Sequence, residues 1–251
     1  MEERKLGYDV LEKYFSPMGK TSQIVGVILI VIGLIGIGIG WVFMYLGVCV
    51  LAAGVAILFI RRDSRASDAD VDSAVSRQIG DIEYWAGREI DVREKMLKSF
   101  PTEHFGEFEF GGSVTDPDSF LMIRGRQDKR LRTNVYSATV VMFAQEMLHI
   151  YKHTVNLTKD DERVEKINEK YIDLSAAELI RTSLLCAQSD IKNRTAIEVG
   201  TCRVSVKNNA GEELISFPVT DGADIDKFVE SINRIIKTRK EKLAQDGDAK
   251  A

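Results

Sequence analysis

Between Ile24 and Ile60 the chain carries no charged side chain, and Arg61-Arg62 ends the run abruptly. As one helix this run would measure roughly 55 Å at 1.5 Å per residue, against a bilayer hydrocarbon core of about 30 Å. Divided in two, each half measures about 25 Å, which a thin bilayer accommodates. Gly36, Gly38 and Gly40 mark the division, because residues without a β-carbon enter a tight turn at little cost. Trp41 and Tyr45 follow, and such rings favour a membrane–water boundary. The run therefore predicts a transmembrane helical hairpin over 23–61, turning near 36–41. Gly36-x-x-x-Gly40 and Ala52-x-x-x-Ala56 are spacings that let helices approach closely, within the hairpin or between copies.

Cations flank both outer ends of the run and avoid its turn. Arg4, Lys5, Lys13 and Lys20 precede it, and Arg61, Arg62 and Arg65 follow. Positive charge on both outer flanks predicts a multi-pass protein of the plasma or inner membrane with both termini cytoplasmic. The run starts too late and extends too far for a cleaved signal peptide. Residues 1–22 form an N-terminal segment in which Tyr8, Leu11, Tyr14 and Phe15 suggest a short interfacial helix.

The formal net charge is −4, and residues 61–251 are nearly neutral, so no basic excess points to nucleic acid. Cys49, Cys186 and Cys202 lack metal or redox spacing. Over 62–104, Val71, Val75, Ile79, Ile82 and Ala86 recur at helical spacing behind an Asp-rich start, predicting a linker helix that Phe100-Pro101 ends. From Phe105 the period falls to two. Strands are predicted near Phe108 and Phe110, at Phe120–Ile123, Tyr136–Ala144, Met147–Leu157, Lys170–Leu174, Ala196–Lys207 and Glu213–Val219, while Leu179–Leu185 reads as a strand or a short helix. Thr158 to Glu165 reads as a charged loop, a parity change at Gly200 as a bulge, and Asn208-Asn209-Ala210-Gly211 as a turn. Ile225, Phe228, Val229, Ile232, Ile235 and Ile236 form one apolar stripe, so a helix is predicted over Asp221–Lys242 with that face on a sheet. Residues 243–251 are polar and predicted to fray.

Short antiparallel strands closed by one amphipathic helix resemble a pleckstrin-homology-like barrel over 105–242, most closely at the Thr195–Val219 hairpin and the helix after it. With the apolar hairpin, the whole resembles bacterial membrane-anchored PH-like proteins. The fold class expected is α+β: a transmembrane hairpin, a linker helix and an antiparallel barrel capped by a C-terminal helix.

Arg124, Arg126, Lys129, Arg130 and Arg132 crowd one short segment opposed only by Asp128. Guanidinium forks pair with phosphate oxygens, so these residues are the candidate binding site for anionic lipid head groups or an acidic protein partner. The resemblance implies the same use for a loop between the first strands. His149 and His153 fall on one face of a predicted strand with no third ligand at telling spacing, and an exposed polar face is the simpler reading. Glu107 and Glu109 share one strand face and read as a solvated edge. No nucleophile elbow, phosphate-cradling glycine loop or zinc-helix motif occurs. No catalytic residue, metal or cofactor is assigned. The chain is expected to be a non-enzymatic binding module working at the inner membrane face, its partners being the bilayer, anionic phospholipid, a membrane protein or another copy. The competing expectation is a sensor or regulatory subunit of a membrane complex such as a transporter or envelope enzyme.

Overall fold

The computed structural model describes residues 8, 11–15, 20–39, 41–63, 66–80, 82–89, 102–111, 121–125, 127–187 and 196–248. After helical residues 11–15 come α1 (Lys20–Ile39), α2 (Trp41–Asp63), α3 (Asp68–Ile79) and α4 (Ile82–Glu89). Nine strands follow: β1 (Glu103–Phe108), β2 (Met122–Arg124), β3 (Leu131–Thr133), β4 (Val135–Phe143), β5 (Met147–Asn156), β6 (Glu162–Lys170), β7 (Leu174–Ala187), β8 (Ala196–Asn208) and β9 (Glu213–Pro218). Helix α5 (Ala223–Asp248) closes the order.

Helices α1 and α2 pack as an antiparallel pair on a glycine seam. Gly33 and Gly47 face each other so closely that a β-carbon on either would lie 2.7 Å from the other's carbonyl oxygen. Gly54 approaches the Gly26 carbonyl in the same way, at 2.9 Å. Gly26 and Gly33 on one helix, and Gly47 and Gly54 on the other, repeat at a heptad interval, which keeps them on one face. Of the close-approach pairs expected from sequence, Gly36 does meet Gly47, but Ala52 and Ala56 point outward.

Two expectations about this region are overturned. Among the described residues, no helix is long and apolar enough to cross a membrane. Ile24–Ile39, the apolar part of α1, measures roughly 24 Å at 1.5 Å per residue, below the about 30 Å of an ordinary hydrocarbon core, so the expected hairpin fitted only if the bilayer was thin. The transmembrane hairpin, the multi-pass localisation and the topology deduced from flanking charge fall together. The N-terminal segment is also placed differently: Leu11, Tyr14 and Phe15 are buried against Val71, Ala74, Val75, Phe108, Ile123, Val155 and Leu157 instead of lying at an interface.

The linker is two helices rather than one. Ser67 caps α3 in a reciprocal box with Asp70, and α3 ends at Gly80. Beyond it, α4 lays Ala86 and Ile82 on Val140, Met142 and Tyr151. Residues 90–101 lie outside the described set.

Among the described residues no closed barrel forms. Strands β1-β4-β5-β6 make a four-stranded sheet, β7-β8-β9 a three-stranded one, and β2-β3 a separate hairpin, so the PH-like barrel expectation is corrected to an open arrangement of antiparallel sheets. The main core lies between the two larger sheets and α5. Val141, Phe143, Leu148 and Ile150 contribute from one sheet, Cys202, Val204, Val206, Ile215 and Phe217 from the other, and Ile225, Ile232, Ile235 and Ile236 from the helix. The second half of segment 158–165, expected as a loop, is the start of β6, which pairs along β5 from Val155↔Glu162 to Met147↔Lys170. Register runs unbroken through Ser183↔Gly200, and the irregularities lie between Leu174 and Ala176 on β7 and between Val206 and Lys207 on β8. The turn residue Gly211 adopts a φ of 82°, where a side chain would be strained.

Candidate functional site: a cation-lined cleft

The basic segment is the turn of the β2-β3 hairpin, inserted between β1 and β4. Its described cations, Arg124, Lys129, Arg130 and Arg132, do not form one patch. Arg132 turns inward and is 1 % exposed. Its Nε and Nη2 donate to the two carboxylate oxygens of Asp72 on α3, at 3.1 and 2.9 Å, and Nη1 and Nη2 donate to Asp128 at 2.9 and 2.6 Å. Asp68 completes the network by accepting the Tyr14 hydroxyl and the Gln127 amide, both at 2.8 Å. Hydrogen bonds from Arg132 and the Arg130 amide hold the Asp128 carboxyl well below the usual carboxylate range. Burial, then the bond to Asp68, pushes the Tyr14 phenol above its ordinary value. Arg132 thus fastens the hairpin to α3. Gly125 leaves room for this knot: a β-carbon there would crowd the Asp128 and Asp68 carboxylates and the Arg132 guanidinium.

Arg124, Lys129 and Arg130 face the other way, into a cleft of about 660 Å³ between the hairpin and the three-stranded sheet. Lys129 sits at φ 60°, a left-handed conformation costing a residue with a β-carbon about 1 kcal/mol. Its carbonyl accepts from Arg124 Nη1 at 3.1 Å. Arg130 donates to Glu107 at 2.8 Å and lies over the Phe108 ring, 5.5 Å from its centroid. Arg126 lies outside the described residues.

The opposite wall supplies two cations that sequence reading did not select. Arg181 on β7 donates to Asp221 and Asp226, each at 2.9 Å, and the pairing draws the Asp221 carboxyl below its usual value. Arg203 on β8 donates to Glu109 and to the Ser216 hydroxyl. Leu131, Phe110, Val199 and Val219 give the cleft an apolar lining. Five cations and two carboxylates, Glu107 and Asp221, therefore line one concave surface. Glu107 holds Arg130 in place and Asp221 holds Arg181, while each of these two guanidinium groups retains donors beyond its pair. The one signal for Arg203 was its parity with Ser205 and Lys207, opposite Cys202, Val204 and Val206 on the core face.

Glu109 is not a solvated edge group. It is buried beside Arg203, Lys152 at 3.4 Å and the Ser137 hydroxyl at 2.8 Å. Burial pushes its carboxyl up, but Arg203 and Lys152 outweigh burial, so the net position is below the ordinary value. A carboxyl depressed on folding stabilises above its unfolded value and loses that contribution as pH falls through the folded one. Urea midpoints are therefore expected to fall as pH drops below about 4.5, with a shallower acid limb in Glu109→Gln. An unchanged acid limb would show that Glu109 carries no such linkage.

His149, Tyr151 and His153 share one face of β5 and are all buried, so the exposed polar face expected there is corrected; Tyr151 packs against Ala86 of α4. His149 Nδ1 is 2.8 Å from Asn168 and His153 Nε2 is 3.3 Å from Glu162. Among the described residues no group of three metal-ligating side chains gathers. Cys186 and Cys202 are buried, and burial pushes both thiols up.

Fold and site together describe an α+β protein with antiparallel sheets, an apolar helix pair and one cation-lined cleft. Comparison with family models, curated proteins and solved structures found no match.

Proposed function

We propose that this chain is a non-enzymatic binding module whose cleft holds an anionic group, of the phosphate class, on a free solute or a lipid head group. The observation that carries this reading is the convergence of Arg124, Lys129 and Arg130 from the hairpin with Arg181 and Arg203 from the facing sheet. The five span about eighty positions of sequence, and only folding brings them to one surface. Two walls of guanidinium donors suit tetrahedral oxygens, which accept bidentate pairs from several directions.

Calorimetric titration of the full chain with pyrophosphate, and flotation with vesicles with and without phosphatidylserine, test this and separate the two sources. Arg130→Ala with Arg181→Ala is expected to weaken binding at least about tenfold, since hydrogen bonds to charged groups are each worth about 1.5–3 kcal/mol. Stability should change little, because these side chains are half-exposed. Wild-type chain that binds neither pyrophosphate nor anionic vesicles, or binds them as well after both substitutions, would refute the proposal.

A second reading, that of a sensor, draws on the Arg132 network. The turn that lines the cleft is the one fastened to α3, which follows the apolar helix pair. Under this reading, occupancy of the cleft alters amide exchange in α3; identical exchange with and without saturating pyrophosphate would remove it.

A further inference from the structure

The cleft is larger than the anion assigned to it. Its volume, about 660 Å³, falls in the range that encloses a whole small organic ligand. At one end the two arginines are spaced by carboxylates. The Glu109 amide continues the β1 ladder by donating to the Val135 carbonyl, so Glu107 and Glu109 share a face and stand about 7 Å apart. Glu107 carries Arg130, and Glu109 carries Arg203. Two guanidinium groups held at that spacing can both reach oxygens of one tetrahedral anion placed between them.

From this cationic end the lining changes along β8. Val199, Thr201 and Arg203 share one face of the strand, and over about 13 Å they run from apolar through hydroxyl to cation. Thr182 of β7, paired with Thr201, adds a second hydroxyl at the midpoint, 2.9 Å from the first. At the far end Val199 packs with Met122 and Cys186, and Phe110 and Leu131 lie on that cluster only partly buried, lining the cleft. An inorganic anion at the arginines would leave this apolar half in water, whereas a ligand with an apolar body covers it.

Resting on the anion-binding reading of the cleft, we propose that its ligand is an amphiphilic phosphate ester. The phosphate lies between Arg130 and Arg203, and the apolar body runs along β8 past Thr201 to Val199, Leu131 and Phe110. A lipid head group held at the surface, its chains left in a membrane, would not cover the apolar half. The ligand's body therefore enters the protein with its phosphate.

Calorimetric titration of the full chain with methyl, butyl and hexyl phosphate, beside pyrophosphate, reads the apolar half directly. Affinity is expected to rise about twofold to fourfold for each added methylene that the cleft buries. Thr201→Trp, which blocks the way from the arginines to Val199, should bring hexyl phosphate down to the affinity of methyl phosphate. Pyrophosphate binding should be unchanged in that variant, which also shows that it is folded. Transfer of a fluorescent lysophosphatidic acid out of vesicles would mark the source as a lipid, and capture of the soluble esters alone would mark it as a free solute. If pyrophosphate binds and the three esters bind alike, the amphiphile assignment fails and the anion site stands. If neither pyrophosphate nor any ester binds, both fail. A length gain that survives Thr201→Trp puts the body elsewhere and overturns the assignment.

Discussion

Arg132→Ala is expected to cost about 3 kcal/mol of folding free energy, read as a lowered urea midpoint, with α3 losing amide protection before the sheets do. The side chain is among the largest fully buried in the described structure, and its donors reach carboxylates on two different elements. Removing it leaves Asp72 and Asp128 facing each other without the intervening cation, beside the buried Asp68. Asp72 and Asp128 are partly exposed and can be rehydrated, which keeps the cost below that of a fully buried pair. Lys is a poor substitute, since a single ammonium cannot meet two carboxylates with a planar fork. Arg124→Ala, a few residues away, should move the midpoint by less than about 1 kcal/mol. Equal, small effects at both positions would mean that the inward network does not hold the hairpin to α3.

Gly47→Leu should be comparably damaging, through a different mechanism. Any β-carbon at this position meets backbone on the facing helix, the Gly33 oxygen and the Ile37 nitrogen both at 2.7 Å, and backbone cannot rotate out of the way. The helices must separate from a close seam toward a spacing of about 10 Å, at a cost near the about 3 kcal/mol upper end for overpacking. Spin labels at Ile28→Cys and Ala52→Cys, in a chain with Cys49→Ser, report that spacing directly. A longer label distance and a lower melting temperature are expected. Gly38→Ala is the matched comparison: nothing stands within 4 Å of its β-carbon position, so better helix propensity should leave stability equal or slightly raised. An unchanged label distance in Gly47→Leu would mean that the seam is not formed as described.

Where neighbours in sequence are also neighbours in space, pattern was enough. The stripe from Ile225 to Ile236 marks a helix face and its burial, because helical geometry repeats within a few residues. The Asn208–Gly211 turn is local for the same reason. Strand β6 was missed because Glu162, Arg163, Glu165 and Lys166 leave it without an apolar face. Its pairing with β5 is a property of backbone hydrogen bonds, which side-chain alternation does not report. The apolar run was conspicuous, yet its length in residues did not show how much helix would remain on each side of position 40.

The candidate site divides along the same line. Composition alone singled out the basic segment from Arg124 to Arg132, since charge density is visible without a fold. Which of its cations face a ligand and which bear on the protein was decided only when α3 placed Asp68 and Asp72 beside Arg132. Arg181 and Arg203 joined the cleft only when β7 and β8 packed opposite the hairpin. Charge and periodicity are written residue by residue, whereas the sign of a surface depends on which carboxylates the fold leaves beside each cation.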